Sequence, residues 1–323
     1  MFAVRLHAFG GPEELRYEEV PDPEPGAGEV RVAVAAAGVH LVDTWLRAGR
    51  TPGPIPLPEL PTVPGREVAG TVDRIGPGAD PAWLGRRVVA HLGTAPGGYA
   101  ELAVVPEARL HAVPDTLDLR AAVAMIGTGR TALAILRLAE IEPGDTVVVL
   151  AAAGGIGTLL VQHALSLGAA VVGAAGGPDK VAQVRALGAA AVDYRQPGWT
   201  DEVRAALGGE RAATVVFDGV GGDAAAAALT LLVPGGRHLV YGWASGGPAE
   251  PVPGIDSRTL AGPALAKLTG TPEGLRALES AALSAAAEGT LVPGVQPFAL
   301  QDAGAAHAAL AARATTGKVV LTP

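Results

Sequence analysis

Cysteine is absent from this chain of 323 residues. Disulfides, thiolate nucleophiles and every cysteine-based zinc or iron–sulfur site are excluded with it. Aromatic residues are scarce, 4% against 49% hydrophobic overall, so the cores must be built from Val, Leu and Ala. No apolar run approaches the ~18 residues of a membrane span, because Gly, Pro or a charge interrupts each one. The N-terminus, Met1-Phe-Ala-Val-Arg-Leu-His7, lacks the apolar core of a signal peptide. There is no long basic run and the net charge is -8, which argues against a nucleic-acid or anionic-membrane partner. A soluble, cytoplasmic protein is expected.

Glycine, by contrast, is abundant at 45 residues, and one cluster of it has context. The apolar stretch Thr146–Leu150 runs into Ala151-Ala-Ala-Gly-Gly-Ile-Gly157, and the helical segment Thr158–Leu165 follows directly. Strand, small-residue turn and helix in that order suit a dinucleotide pyrophosphate. The backbone can approach the phosphates, and the helix N-terminus offers unpaired N–H groups and a positive dipole end.

The chain divides in texture. Its first ~120 residues read as short strands between Pro/Gly turns, among them 30–35, 67–72 and 87–91, with the Pro-rich stretch 51–64 as a loop. From Leu119 strands and helices alternate. Strands are expected at 146–150, 170–175, 190–194, 214–218 and 237–241, and helices at 119–140, 157–167, 180–187, 201–207 and 223–231. That alternation predicts an α/β fold with a doubly wound parallel sheet of Rossmann type. A helix at 272–288 and a strand at 318–321 close the chain and are expected to rejoin the first domain. The domains are read as 1–121, completed by 265–323, and 122–264.

The end of the second Rossmann strand decides which nicotinamide cofactor is preferred. An NAD-binding site usually places an acid there. Here 170–178 carries none, and Gly173, Gly176 and Gly177 leave room. Lys180 follows and can pair with a 2′-phosphate. Asp179 is the objection; it is read as a first-turn acid favouring the helix dipole. NADPH is therefore expected, bound over Ala153, Gly154, Gly155, Ile156 and Gly157.

The order of motifs resembles the zinc-independent quinone oxidoreductases, the zeta-crystallin-like branch of the medium-chain dehydrogenase/reductase superfamily. The carriers are 38–49 (Gly-Val-His-Leu-Val-Asp-Thr-Trp-Leu-Arg-Ala-Gly), 63–70 (Val-Pro-Gly-Arg-Glu-Val-Ala-Gly), 97–101 (Gly-Gly-Tyr-Ala-Glu), 129–132 (Gly-Arg-Thr-Ala), 151–157, 187–189 and 217–222 (Phe-Asp-Gly-Val-Gly-Gly). The resemblance implies a β-rich, GroES-like, partly barrel first domain and a homodimer. It implies that Lys180, Tyr194 and Arg313 lie near the 2′-phosphate. Leu41, Thr131, Val220, Gly242, Trp243, Ala244 and Ser245 would then lie along the rest of the cofactor, and 41–45 would line the reacting face. His40 and Trp45 stand where the family commonly has Asn and Tyr, and Arg66 and Glu67 replace a small or acidic pair.

The catalytic candidates are His40, Asp43, Trp45 and Arg66. His40 is expected either to give a proton to the reduced carbonyl or merely to bond a loop carbonyl. Asp43 is expected to orient the segment or cap the helix after it. Arg130 is expected either to hold an anionic group near the site or, the favoured reading, to be a surface helix residue. No metal is expected: His40 and Glu67 supply one imidazole and one carboxylate, Arg66 lies beside them, and no two of the seven His show metal-pair spacing. Ala164-Leu-Ser-Leu-Gly168 falls one residue short of a nucleophile elbow and lies inside a helix. The expected activity is NADPH-dependent reduction of quinones or related conjugated carbonyls, small molecules, by hydride transfer without metal. The alternatives are an enoyl or enone double-bond reductase and a cofactor-binding protein with little turnover.

Overall fold

The computed structural model describes residues 1–51, 56–245, 247–260 and 271–323. Its internal contacts group the chain into two units, Met1–Thr128 with Leu283–Pro323, and Gly129–Ala282.

The first unit is built of strands. β1 (Phe2–Leu6) and β2 (Leu15–Glu19) form an antiparallel ribbon. A mixed sheet follows from β3 (Glu29–Val39), β4 (Glu67–Ile75), β5 (Arg87–His91), β6 (Leu102–Pro106) and β7 (His111–Ala112). It is completed from the far end of the chain by β14 (Val295–Ala299) and β15 (Lys318–Thr322). β15 runs antiparallel to β3, so the last strand returns to the first domain. Its core is mainly Val, Leu and Ala, among them Val30, Val32, Val68, Leu110 and Leu321, with Tyr99 the one fully buried large aromatic. Helix α1 (Leu41–Arg47) leaves the end of β3, and α9 (Ala303–Ala311) precedes β15.

The second unit is a six-stranded, all-parallel sheet of β8 (Thr146–Leu150), β9 (Ala170–Ala175), β10 (Ala190–Asp193), β11 (Ala213–Asp218), β12 (Leu232–Val240) and β13 (Asp256–Thr259). Their spatial order is β10-β9-β8-β11-β12-β13. That is a doubly wound order, with its switch point between β8 and β11. The helices between are α4 (Gly155–Ser166), α5 (Pro178–Ala186), α6 (Trp199–Leu207) and α7 (Gly222–Leu229).

The junctions expected at 121/122 and 264/265 differ from the contact boundaries at 128/129 and 282/283. The first boundary moves because α2 (Leu119–Ala124) continues without a break into a π-helical turn, Met125–Gly129, and then α3 (Arg130–Ala139). The second falls inside helix α8 (Pro272–Ala287), and 264/265 itself lies outside the described residues. The helix Leu119–Ala139 passes for a membrane span by length and composition. Yet 61% of its apolar window is buried in the protein, the position of a core helix.

Candidate active site

The cofactor candidates of the second unit gather at the carboxyl ends of its parallel strands, where ligands sit in such sheets. After β8 the chain turns at Ala151, which adopts a left-handed φ of 51°. α4 then starts at Gly155, so its first N–H groups face the turn. A Cβ on Gly157 would press on the backbone of Ala151 and Ala152, so only glycine lets helix and turn pack this closely. Gly173 is closed in the same way by Val184 and Ala152. At the end of β9, Gly176 faces the Tyr194 ring, and Gly177, at φ 106°, faces the Arg195 guanidinium.

No acid occupies that strand end. Asp193, on the neighbouring strand, is engaged by Arg195 at 3.1 Å, and that hydrogen bond holds its carboxyl down at about 2. Asp179 stands in the first turn of α5, next to Lys180. Arg195 escaped the sequence reading because nothing local marks it; parallel pairing of β9 with β10 brings it to Gly177.

At the ends of β11 and β12 the buried Asp218 accepts the N–H groups of Val220 and Gly221 at 2.8 and 2.9 Å. Ala244 and Ser245 donate their N–H groups to the carbonyls of Gly219 and Val220, which fixes the turn Gly242–Ser245. Trp243 is exposed there. Thr131 is the second residue of α3. Arg130 corrects its surface reading: it pairs with the buried Glu279 at 2.5 Å. Leu41 and Arg313 belong to the first unit; Leu41 opens α1, and Arg313 is exposed after α9 at φ 56°.

In the first unit the sheet builds a cluster of charges that the sequence did not announce. The β4–β5 register sets His91 directly opposite Glu67. The β15–β3 register pairs Val319 with Val39, which brings Lys318 to His40. Glu67 is fully buried; His40 Nε2 lies 2.7 Å from its Oε1 and Lys318 Nζ 2.8 Å from its Oε2. Lys318 Nζ is also 3.0 Å from His40 Nε2. Burial alone would push the Glu67 carboxyl up, but the charges of His40 and Lys318 hold it well below the usual carboxylate range. Gly38 and Gly127 make the space: a Cβ on either would overlap a Glu67 carboxylate oxygen.

A second chain of bonds fixes α1. Asp43 accepts the backbone N–H of His40 at 2.8 Å, an end cap for the helix. The same oxygen accepts the Tyr99 hydroxyl at 3.1 Å, and His307 Nε2 stands 3.1 Å behind Tyr99. Burial and then Asp43 raise the Tyr99 hydroxyl far above its ordinary range, and burial lowers His307 to about 4. The neutral His307 thus donates to a neutral Tyr99, which donates to Asp43. Trp45 lies half-buried on α1. Arg66 precedes β4, points away from Glu67, and its guanidinium lies 3.5 Å from Asp43 Oδ1.

Two family descriptions match this architecture: "Alcohol dehydrogenase GroES-like domain" over residues 26–115 and "Zinc-binding dehydrogenase" over 155–285. A quinone oxidoreductase of Pseudomonas aeruginosa is 35% identical over 99% of both chains. The chain belongs to the quinone oxidoreductase family of medium-chain dehydrogenases/reductases. A 2-haloacrylate reductase of Burkholderia is 34% identical over 100% of this chain and 99% of its own. The Escherichia coli quinone oxidoreductase, solved in complex with NADPH, superposes with a TM-score of 0.85 over 100% of both chains at 29% identity.

A family that includes zinc-binding members makes the fit of a metal worth testing. The expectation of one imidazole is corrected, because strand pairing adds His91: the ligand atoms of His40, Glu67 and His91 all lie within 4.8 Å of one another. The set still does not suit zinc. His91 Nδ1 accepts the Gly93 N–H at 2.9 Å, which leaves the proton of the neutral ring on Nε2. An ion bonded at ~2 Å to His40 and Glu67 would also face the Lys318 ammonium at close range. The cluster carries its own cation, and no step is routed through a metal.

Proposed function

We propose that the chain reduces quinones and related conjugated carbonyls with NADPH, in the cytoplasm and as a homodimer. Full-length similarity to quinone oxidoreductases carries this reading, supported by Lys180 and Arg195 beside the end of β9, a strand that itself carries no acid. The cofactor suits the residues present. The turn Ala153–Gly157 and the start of α4 would hold its pyrophosphate, and Gly176, Gly177, Lys180 and Tyr194 the phosphorylated ribose. The turn Gly242–Ser245, with Thr131 and Val220, would hold the nicotinamide end, and Leu41 and Arg313 are proposed to complete the contacts.

The bound cofactor supplies a hydride from C4 of its nicotinamide. What the protein adds is orientation and exclusion of water. A quinone hydride adduct is a stable anion, so no strong general acid is needed. The following proton is proposed to come from water or from His40, whose ring Lys318 and Glu67 hold at Nε2. Asp43 holds the backbone of His40, which makes it a positioning residue.

The test is NADPH consumption with a panel of quinones beside a panel of enones, repeated with NADH. Rapid loss with quinones and NADPH is the expected result. Turnover of enones alone would move the function to double-bond reduction, which the 2-haloacrylate reductase relative makes the second reading. Binding of NADPH without oxidation by any acceptor would refute both.

A further inference from the structure

The first unit contains a cavity of about 360 Å³ whose lining includes Asp43, the residue that caps His40. Its apolar wall includes Leu6, Leu46 and Pro64, and its charged lining is Arg47, Arg66 and Asp43, with Glu59 exposed at its edge. Arg47 is buried and spends Nη1 on the carbonyl of Gly10 at 2.7 Å. Arg66 has 15% of its side chain exposed. Among the described residues its side chain makes no hydrogen bond; the 3.5 Å ion contact to Asp43 Oδ1 is what it has. Asp43 has already committed its other oxygen to His40 and Tyr99.

Arg66 therefore meets the buried Asp43 carboxylate through one 3.5 Å contact and leaves most of its planar fork of donors unused. Such a group, largely removed from water, is costly unless something pairs with it. A quinone oxygen offers a single neutral acceptor. A carboxylate matches the fork with two oxygens. The apolar wall suits the remainder of a small conjugated molecule.

We propose that Arg66 sets the substrate class: the cavity takes a conjugated acceptor that bears a carboxylate, held by the Arg66 guanidinium as a two-pronged ion pair. This rests on the reductase reading above and narrows it; the carboxylate can belong to a quinone side chain or to a 2-enoate.

The experiment pairs each acid with its methyl ester: a naphthoquinone propionic acid, and crotonic acid. kcat/KM is measured for wild type, Arg66→Met and Arg66→Lys, and NADPH binding by each variant verifies folding. Wild type should favour the acids by about 10- to 100-fold, the scale of a charge-assisted pair. Arg66→Met should bring the ratio near one through KM, and Arg66→Lys should restore part of it. Calorimetry of crotonate against methyl crotonate reads the same preference without turnover. Equal use of acid and ester by wild type, or a preference that survives in Arg66→Met, overturns the proposal and leaves quinone reduction standing. If no acceptor is reduced, the reductase reading fails, and the calorimetric difference alone decides Arg66.

Discussion

Lys318 shows how much one side chain can decide. Its ammonium is the fixed counter-charge of a carboxylate with no exposure at all. Replacing Lys318 with Met removes one partner of a buried pair and leaves Glu67 against the imidazoles of His40 and His91. The expected cost is about 3–5 kcal/mol in urea unfolding. Adding Glu67→Gln should recover a good part of it, because the uncompensated charge then disappears. A single-variant cost under ~1 kcal/mol, below the range for a broken buried pair, would show that the cluster is not a tight ion pair. Glu67 was visible in the sequence, set beside His40 as one carboxylate with one imidazole. His91 and Lys318 could not be connected to it, since strand register brings together residues far apart in the chain.

Elements tell the reverse story. The turn after β8 and the start of α4 follow from local sequence, since small residues between a Val-rich strand and a helix leave few other conformations. The strands Arg87–His91, Thr146–Leu150 and Ala170–Ala175 fall where composition puts them. β12 starts earlier than the expected 237 because Leu232 already pairs with Ala213, before the register shifts and Arg237 comes opposite Val215. The N-terminal turn of α5 is where cofactor choice is tested. Lys180→Ala should narrow the ratio of kcat/KM for NADPH over NADH by about tenfold, the loss of one charge-assisted contact. An unchanged ratio would move 2′-phosphate recognition to Arg195, and Arg195→Ala would then carry the effect.

At the scale of the whole molecule, acid should be the weak point. His307 is buried and titrates near 4 in the folded protein, against an ordinary value of 6.5. The unfolded chain therefore binds a proton that the folded one refuses as pH falls below 6.5. Stability is full above that value, declines between 6.5 and 4, and the loss reaches about 3 kcal/mol at pH 4. Glu67, held low, costs more stability only below the ordinary carboxylate range, as pH falls towards its folded value. Urea unfolding of wild type and His307→Gln across this window checks the first part. The variant should show the shallower slope, and identical slopes would mean that His307 is not the group responsible.

The sequence by itself determined the class of fold, the phosphate-binding turn and the division into a strand-rich unit and a parallel-sheet unit. Those rest on periodicity and on glycine chemistry, which are properties of neighbouring residues. Arg66 and His40 stood out as unusual, but nothing local said what faced them. The tertiary structure decided that Glu67 carries a lysine where a metal might have been sought, that Asp43 links Tyr99 to Arg66, and that Arg66 opens on a cavity. Each depends on which strands pair and in what register. That is set by burying whole apolar faces together, not by any short run of residues.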